Sequence, residues 1–342
     1  MKLIRWSLGA TLLLAAIPSY ADTAYSLGAA AGYNVFVFSS YSTTGWTDIE
    51  GSTAVGGSFA SSGSMGFDQT PGTAHPSVSG LVVGGSLSLA GGQVNGDAWV
   101  GGATSSTNYG TFTVTGNLEY GSTPTGNVNV FGTKTALHGG ALPIDFASAA
   151  TSLTQLSNAL NNMAANGTVT GNSSAYTLTA TNCTLCIFNL PGGSMHSMTI
   201  NAPSGATVLI NVSGTSSSFS NGSISYAGGA TAANTIFNFG AATTISTSSI
   251  GFNGSILAPL ATFTGTNGNI NGELIAKAVS GETAEFESGN IFHGSFGSST
   301  TGASPSATPE PSTWISLLTA LVAFAGFQKR RAKCAKVKLY TK

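Results

Sequence analysis

The sequence predicts an all-β protein: a parallel β-solenoid with one amphipathic α-helix packed alongside and a C-terminal transmembrane helix. Three observations carry this expectation. Short apolar runs broken by glycine recur at nearly constant spacing, with Gly84-Gly85 seventeen residues before Gly101-Gly102 and Ile256 eighteen before Leu274. A single segment, residues 143–167, switches to helical spacing. Near the C-terminus a charge-free apolar stretch runs into a cluster of basic residues.

At the N-terminus, Lys2 and Arg5 precede the apolar run 8–17, and Ser19-Tyr20-Ala21 places small residues at −3 and −1. That order is a secretory signal peptide, residues 1–21, with cleavage after Ala21. The chain is therefore expected to be exported.

The composition of the exported body differs from that of the whole chain. Residues 22–308 hold eleven acids and only two bases, Lys134 and Lys277, a net of −9 that the whole-chain value of −1 conceals. Nucleic-acid binding needs a basic footprint, so it is excluded for this body. Disorder combines low hydrophobicity with high charge, and the body has neither. Val, Ile, Leu and Phe instead recur in short runs between Gly-containing turns, the pattern of many short strands.

A repeat of 17 or 18 residues, with small residues at its corners, suits one coil of a β-solenoid. A sandwich also shows strands at short spacing, but here the same period recurs in both halves of the chain. Stacking predicts that Ile256 and Leu274 sit on neighbouring coils and point inward, with the alternate residue Ser255 facing out.

In the helical segment, Phe146, Ala149, Ala150, Leu153, Leu156, Leu160 and Met163 fall at helical intervals. Asp145 suits an N-cap and Asn166-Gly167 a stop, giving a helix of about 18 residues whose apolar stripe packs along the solenoid.

The tail reads in three pieces. Pro309-Glu310-Pro311 is stiff, residues 312–328 carry no charge, and Lys329, Arg330 and Arg331 open a basic cluster that continues to Lys342. The apolar piece is shorter than the ~20 residues that span a bilayer comfortably, a deficit that snorkelling and thinning cover. The cluster acts as a membrane stop and stays cytoplasmic. This tripartite order resembles the PEP-CTERM sorting signal of Gram-negative bacteria, here residues 309–342. The resemblance implies an exosortase-type membrane protease as processing partner and cleavage near Pro309-Glu310-Pro311. The tail beyond Cys334 is longer than in most such signals.

The body has a second resemblance. The pieces "YNVFVFSSYSTTGWTDIEGSTAVGG", "LVVGGSLSLAGGQVNGDAWVGG", "LPIDF" with the helix after it, "VLINVSG", "TIFNFGAATTI", "GSILAPLA" and "GNINGELIAKAVSG" occur in an order similar to that of the choice-of-anchor A domain. It implies one domain over residues 22–297, followed by a Ser/Thr/Pro linker, 298–308. The "GNINGELIA" ending is also similar to ice-binding β-solenoids that carry a helix alongside, a likeness of fold style.

Signals for chemistry are sparse. No G-x-S-x-G, Walker A or H-E-x-x-H pattern occurs, and His75, His138, His196 and His293 are scattered. Glu282, Glu285 and Glu287 lie near His293 in sequence, and Glu285 and Glu287 share one strand face, as do Asp48 and Glu50. With Asp97 the latter pair offers carboxylates for calcium, although a solvated face is the better reading. Cys183 and Cys186 form C-T-L-C, open to a local disulfide, a thioredoxin-like motif or half a zinc site. The continuing strand "CIFNL" and the lack of a second pair favour the disulfide. Thr alternates in "TFTVTGN" and "ATFTGTNGN", a pattern that suits exposed strands and also flat surfaces that match ice or crystalline polysaccharide.

The expected function is accordingly that of an exported, exosortase-sorted protein of the cell surface or extracellular matrix. It is structural or adhesive, with no catalytic residues, no metal and no cofactor. The alternatives are a module that recognises polysaccharide or ice, and a carbohydrate-active solenoid enzyme. Expected partners are the sorting protease, the membrane before processing, and an exopolysaccharide or other surface ligand.

Overall fold

Strands such as Phe59–Phe67 and Leu87–Val94 alternate buried with more exposed residues, so every second side chain enters a shared lumen. The computed structural model describes residues 25–69, 80–106, 110–137, 141–281 and 284–297. All lie in one compact unit, Thr23–Ser298. Pairing is overwhelmingly parallel, and each coil turns through three short faces. Val208, Ile210, Phe237, Ile256, Leu274, Val35, Val55 and Leu81 fill the lumen from one of them. The expected spacing is real stacking: Gly102 N–H donates to Gly85 O at 2.8 Å, and Gly85 N–H to Gly57 O at 2.8 Å. At Gly84 and Gly101 a Cβ would collide with the carbonyl oxygen of the coil beneath, so only glycine passes that corner.

Stacking order differs from chain order. The first strand, Val35–Val37, lies between Leu274–Gly281 and Thr53–Val55. The chain therefore starts in mid-stack, climbs to Lys134–Ala136, and then re-enters at the opposite end to wind back to its own beginning. The ends meet coil on coil. Val35–Val37, Tyr41–Thr43 and Thr47–Ile49 are the three faces of the chain's first coil, and they sit on Leu274–Gly281 and Glu285–Glu287 of its last.

The α-helix, Phe146–Asn161, makes the long return. Sixteen residues rise about 24 Å, roughly five rungs of ~4.8 Å. Its start meets the chain's first coil, where the Phe146 and Phe36 rings are 5.6 Å apart. Its end is fixed by an asparagine ladder. Asn211 Nδ2 donates to Leu160 O and Asn238 Nδ2 to Ser157 O, both at 2.9 Å, and Ser157 Oγ donates to Asn238 Oδ1 at 2.6 Å. Asp145 caps the helix by accepting from Ala147 and Ser148 N–H. These bonds, those from Ser148 foremost, hold its carboxyl below the usual range. The helix stops at Asn161, short of the expected Asn166-Gly167. Those two residues are instead bonded to the first rung: Gly167 N–H donates to Ile187 O, and Ile187 N–H to Asn166 Oδ1.

The helix creates a second apolar layer and corrects one expectation. Leu153, Leu156 and Leu160 cover the outer side of the strands, Leu209, Ile236, Leu257, Ile275 and Phe36, and Phe292 and Phe296 complete the cover. Ile256 and Leu274 pair and point inward as expected. Ser255, however, does not face solvent: it is fully buried, its Oγ accepting from Glu273 N–H at 2.9 Å. On this face both sides are buried in the strands from Thr207–Val212 to Leu81–Val83.

The signal peptide with Ala21, the linker, Pro309-Glu310-Pro311, the apolar span and Lys329, Arg330 and Arg331 lie outside the described residues. Among the described residues no helix is long and apolar enough to cross a membrane.

Glu273 lies at the seam between the two ends of the chain. It is fully buried, Oε1 accepting from Gly32 N–H at 2.8 Å while Oε2 has no partner among the described residues. Desolvation pushes its pKa well above the ordinary 4.5, against the smaller effect of the Gly32 bond. The folded state therefore keeps a proton that the unfolded chain releases above pH 4.5. The stability this proton supports is complete below that pH and is lost as pH rises toward the folded pKa. Glu273→Gln is expected to raise the melting temperature at pH 8 and to flatten its decline between pH 5 and 8. An unchanged pH profile in thermal unfolding would show that Glu273 does not titrate with the fold.

Two aspartate substitutions test the inward register. Ile256→Asp buries an unpaired carboxylate and should cost several kcal/mol, about 3 or more. Leu260→Asp, at a corner position that is 43% exposed, should stay within about 0.5 kcal/mol. Equal losses in denaturant unfolding would contradict the stacking.

Candidate adhesive face

The second face of the solenoid carries small hydroxyl residues in register. Ser216–Ser220, Thr244–Ser248 and the second part of Ser255–Thr266 stack in parallel, Ser218 beside Ser246 and Ser246 beside Thr264. Inward positions of these rungs hold Phe219, Ile245 and Phe263, which anchor them in the lumen. Outward positions are Ser216, Ser218, Ser220, Thr244, Ser246, Ser248, Thr262, Thr264 and Thr266. They form an uncharged three-by-three lattice of hydroxyls. Its steps are about 4.8 Å between rungs and about 6.8 Å along each strand. The middle column continues below the lattice at Ser194 and above it at Ser280, Ser42, Ala60, Ser88 and Ser105. It thus crosses the seam without losing register.

Of the two threonine-rich stretches read in the sequence, one supplies Thr262, Thr264 and Thr266 to this lattice. The other, 111–117, runs along the third face through Phe112–Val114. The serine rows were not recognised in the sequence. Their signal was the match of S-x-S-x-S at 216–220 to T-x-S-x-S at 244–248, obscured by an irregular 28-residue spacing.

The third face gathers the acids. Phe286 pairs with Ile49, which sets Glu285 beside Asp48 and Glu287 beside Glu50. Desolvation raises the Glu285 pKa, and repulsion from Glu287, Asp48 and Glu50 adds to it. Glu50 Oε2 accepts from Ser288 N–H at 3.0 Å, and Glu287 accepts from Asn269 Nδ2. Asp97 does not join them. It serves a corner turn, accepting from Asn117 N–H at 2.7 Å. Among the described residues no three His, Cys, Asp or Glu side chains converge to hold an ion.

The catalytic alternative required Glu285, Glu287 and His293 in one cleft. His293 N–H donates to Ala233 O at 2.8 Å, and nearby Ser295 N–H to Thr207 Oγ1 at 2.8 Å, which fixes that segment several coils from the two glutamates. His196 is held by Ser220 O at 2.7 Å, and His75, His138 and Glu282 lie outside the described residues. Cys183 and Cys186 form a disulfide beside the first rung, at the end of the stack, so neither is a free thiol for zinc.

A family model described as "Putative Ice-binding-like adhesive domain" matches residues 26–288. Solved structures that the chain is similar to include three ice-binding proteins. The first, from the Antarctic ascomycete Antarctomyces psychrotrophicus, has 14% identity and a TM-score of 0.37, covering 78% of this chain and 98% of that one. The second, from an Antarctic biological consortium, has 19% identity and a TM-score of 0.40, with 77% and 90% covered. The third, from an Arctic yeast, has 12% identity and a TM-score of 0.36, with 78% and 94% covered. A comparison with curated proteins gave no match. Since the family match takes in nearly the whole of the described solenoid, the chain belongs to the ice-binding-like adhesive domain family.

Proposed function

We propose that the protein is an exported adhesin of the cell surface or extracellular matrix, without catalysis, that grips an ordered surface through its hydroxyl lattice. The observation that carries this reading is the three-by-three lattice itself, nine short hydroxyl side chains in register with no charge among them. Each hydroxyl contributes little alone. A rigid array adds many weak contacts whose ordering cost was met at folding, so affinity grows with the number engaged. Such an array selects a partner whose own groups repeat at commensurate spacing, and ice is the one the family description names. Ordered polysaccharide is the second reading, favoured by the run of the middle column through Ser280, Ser42 and Ser88 beyond the lattice.

The targeting segments complete the proposal. Residues 1–21 direct export with cleavage after Ala21. The apolar span and Lys329, Arg330 and Arg331 hold the precursor in the membrane. An exosortase-type protease cuts near Pro309-Glu310-Pro311, as the PEP-CTERM resemblance implies. The finer assignment of residues 22–297 to the choice-of-anchor A type agrees with an exported domain whose anchor is a separate module.

Ser246→Tyr places a bulky ring at the centre of the lattice on a part-exposed site. It should leave the melting temperature within about 3 °C. Adsorption to polycrystalline ice, measured as the fraction of protein retained in the frozen phase, should fall at least severalfold. Retention equal to that of the native protein would remove the lattice as the contact surface.

A further inference from the structure

The corner between the hydroxyl face and the third face carries a groove that the adhesive reading leaves unused. It runs parallel to the stack from Asn267-Gly268 past Glu285 and Trp46–Asp48 to Gly66, Gln93 and Thr111. That path crosses about five rungs, roughly 24 Å at ~4.8 Å each. Glycines line it where neighbouring coils and side chains approach closely. A Cβ at Gly66 would strike the Asp48 carboxylate, one at Gly92 the Met65 carbonyl, and one at Gly268 the Ile250 carbonyl. Trp46 stands at its wall with 83% of its surface exposed. Among the described residues only Phe131 is another aromatic so exposed, and an indole left in water at the lip of a groove is a poised contact surface.

The remaining walls present planar hydrogen-bonding groups, namely Asp48, Gln69, Gln93 and Glu285, with no base among the lining residues. We propose that this groove binds a single extended polysaccharide chain of neutral sugars, one ring stacked on Trp46 and its hydroxyls bonded by Asp48, Gln69 and Gln93. The chemistry fits the pieces. A pyranose presents an apolar C–H face to an indole, while its edge offers vicinal hydroxyls to paired carboxylate and amide oxygens. Carboxylates without a neighbouring base reject uronate and sulfated chains by repulsion and desolvation. The groove lies at the edge of the hydroxyl face and largely on different coils from the lattice, so the inference does not rest on the adhesive reading. Together they describe a protein that holds a matrix strand in one place and a solid surface in another.

The test is calorimetric titration of the full-length protein with three probes: cellohexaose, N-acetylchitohexaose and hexagalacturonate. At least one neutral hexamer should bind and hexagalacturonate should not. Trp46→Ala should weaken the neutral hexamer about tenfold or more, with Trp46→Phe recovering most of it. Retention in ice should be unchanged by Trp46→Ala, which separates a failure here from a failure of the lattice. No binding of either neutral hexamer at millimolar concentration would overturn the proposal. So would equal affinity of native and Trp46→Ala protein, or preferential binding of hexagalacturonate.

Discussion

Everything in this molecule depends on the pairing of its last full coil with its first strand. Leu274 N–H donates to Asn34 O at 2.8 Å, Phe38 N–H to Ala276 O at 3.1 Å, Ser39 N–H to Lys277 O at 2.8 Å and Val279 N–H to Ser40 O at 3.0 Å. Unpaired, each of these edges would offer free N–H and C=O groups to another chain. Paired, they join two stacks into one. Asn34 ties the joint from within, its amide donating to Gly272 O at 2.6 Å and Glu287 O at 3.1 Å while its oxygen accepts from Gly51 N–H at 3.2 Å. The buried Glu273 beside it is the weak element of this joint, a carboxyl with one oxygen satisfied and one not.

The register of that joint also sets the surface. A slip of one residue would turn Ser42 inward and Tyr41 outward, breaking the hydroxyl column where it crosses from Ser280 to Ser42. Tyr41 resists this slip. It is fully buried and stacks on Phe59 with ring centroids 4.3 Å apart, so the apolar lumen fixes the position of the hydroxyls outside it. The spacing of the hydroxyl face is thus a consequence of core packing.

Much of this architecture was legible in the sequence because stacking leaves a period. The pairs Gly84-Gly85 and Gly101-Gly102, and Ile256 and Leu274, fall on adjacent coils as their spacing implied. Asp145 announced the helix start, since a cap acts through residues two and three places away. What escaped was whatever depends on order in space. Nothing local shows that residue 35 stacks on residue 274, or that the helix buries the outer side of one face and with it Ser255. The lattice was half legible: threonines at 262–266 stood out, whereas the serines at 216–220 and 244–248 became a surface only when loops of unequal length were removed. Trp46 gave no signal at all, because exposure is a property of its neighbours.

The discontinuous path has a consequence for when the structure can form. Contacts such as Gly32 N–H to Glu273 Oε1 join residues 241 apart in sequence, so the joint between first and last coils closes only once nearly the whole solenoid exists. Closing a loop of that length costs entropy before any contact rewards it, and parallel β pairing is slow for the same reason. The helix shortens the search. By laying its asparagine-anchored end on the strands Thr207–Val212 and Thr235–Asn238 and its start against Phe36, it holds the second stack in line with the first. Its 16 residues fix the number of rungs between those anchors. Helix length and coil count are therefore one constraint. An inserted coil between the anchors would need about three more helical residues for the ~4.8 Å it adds.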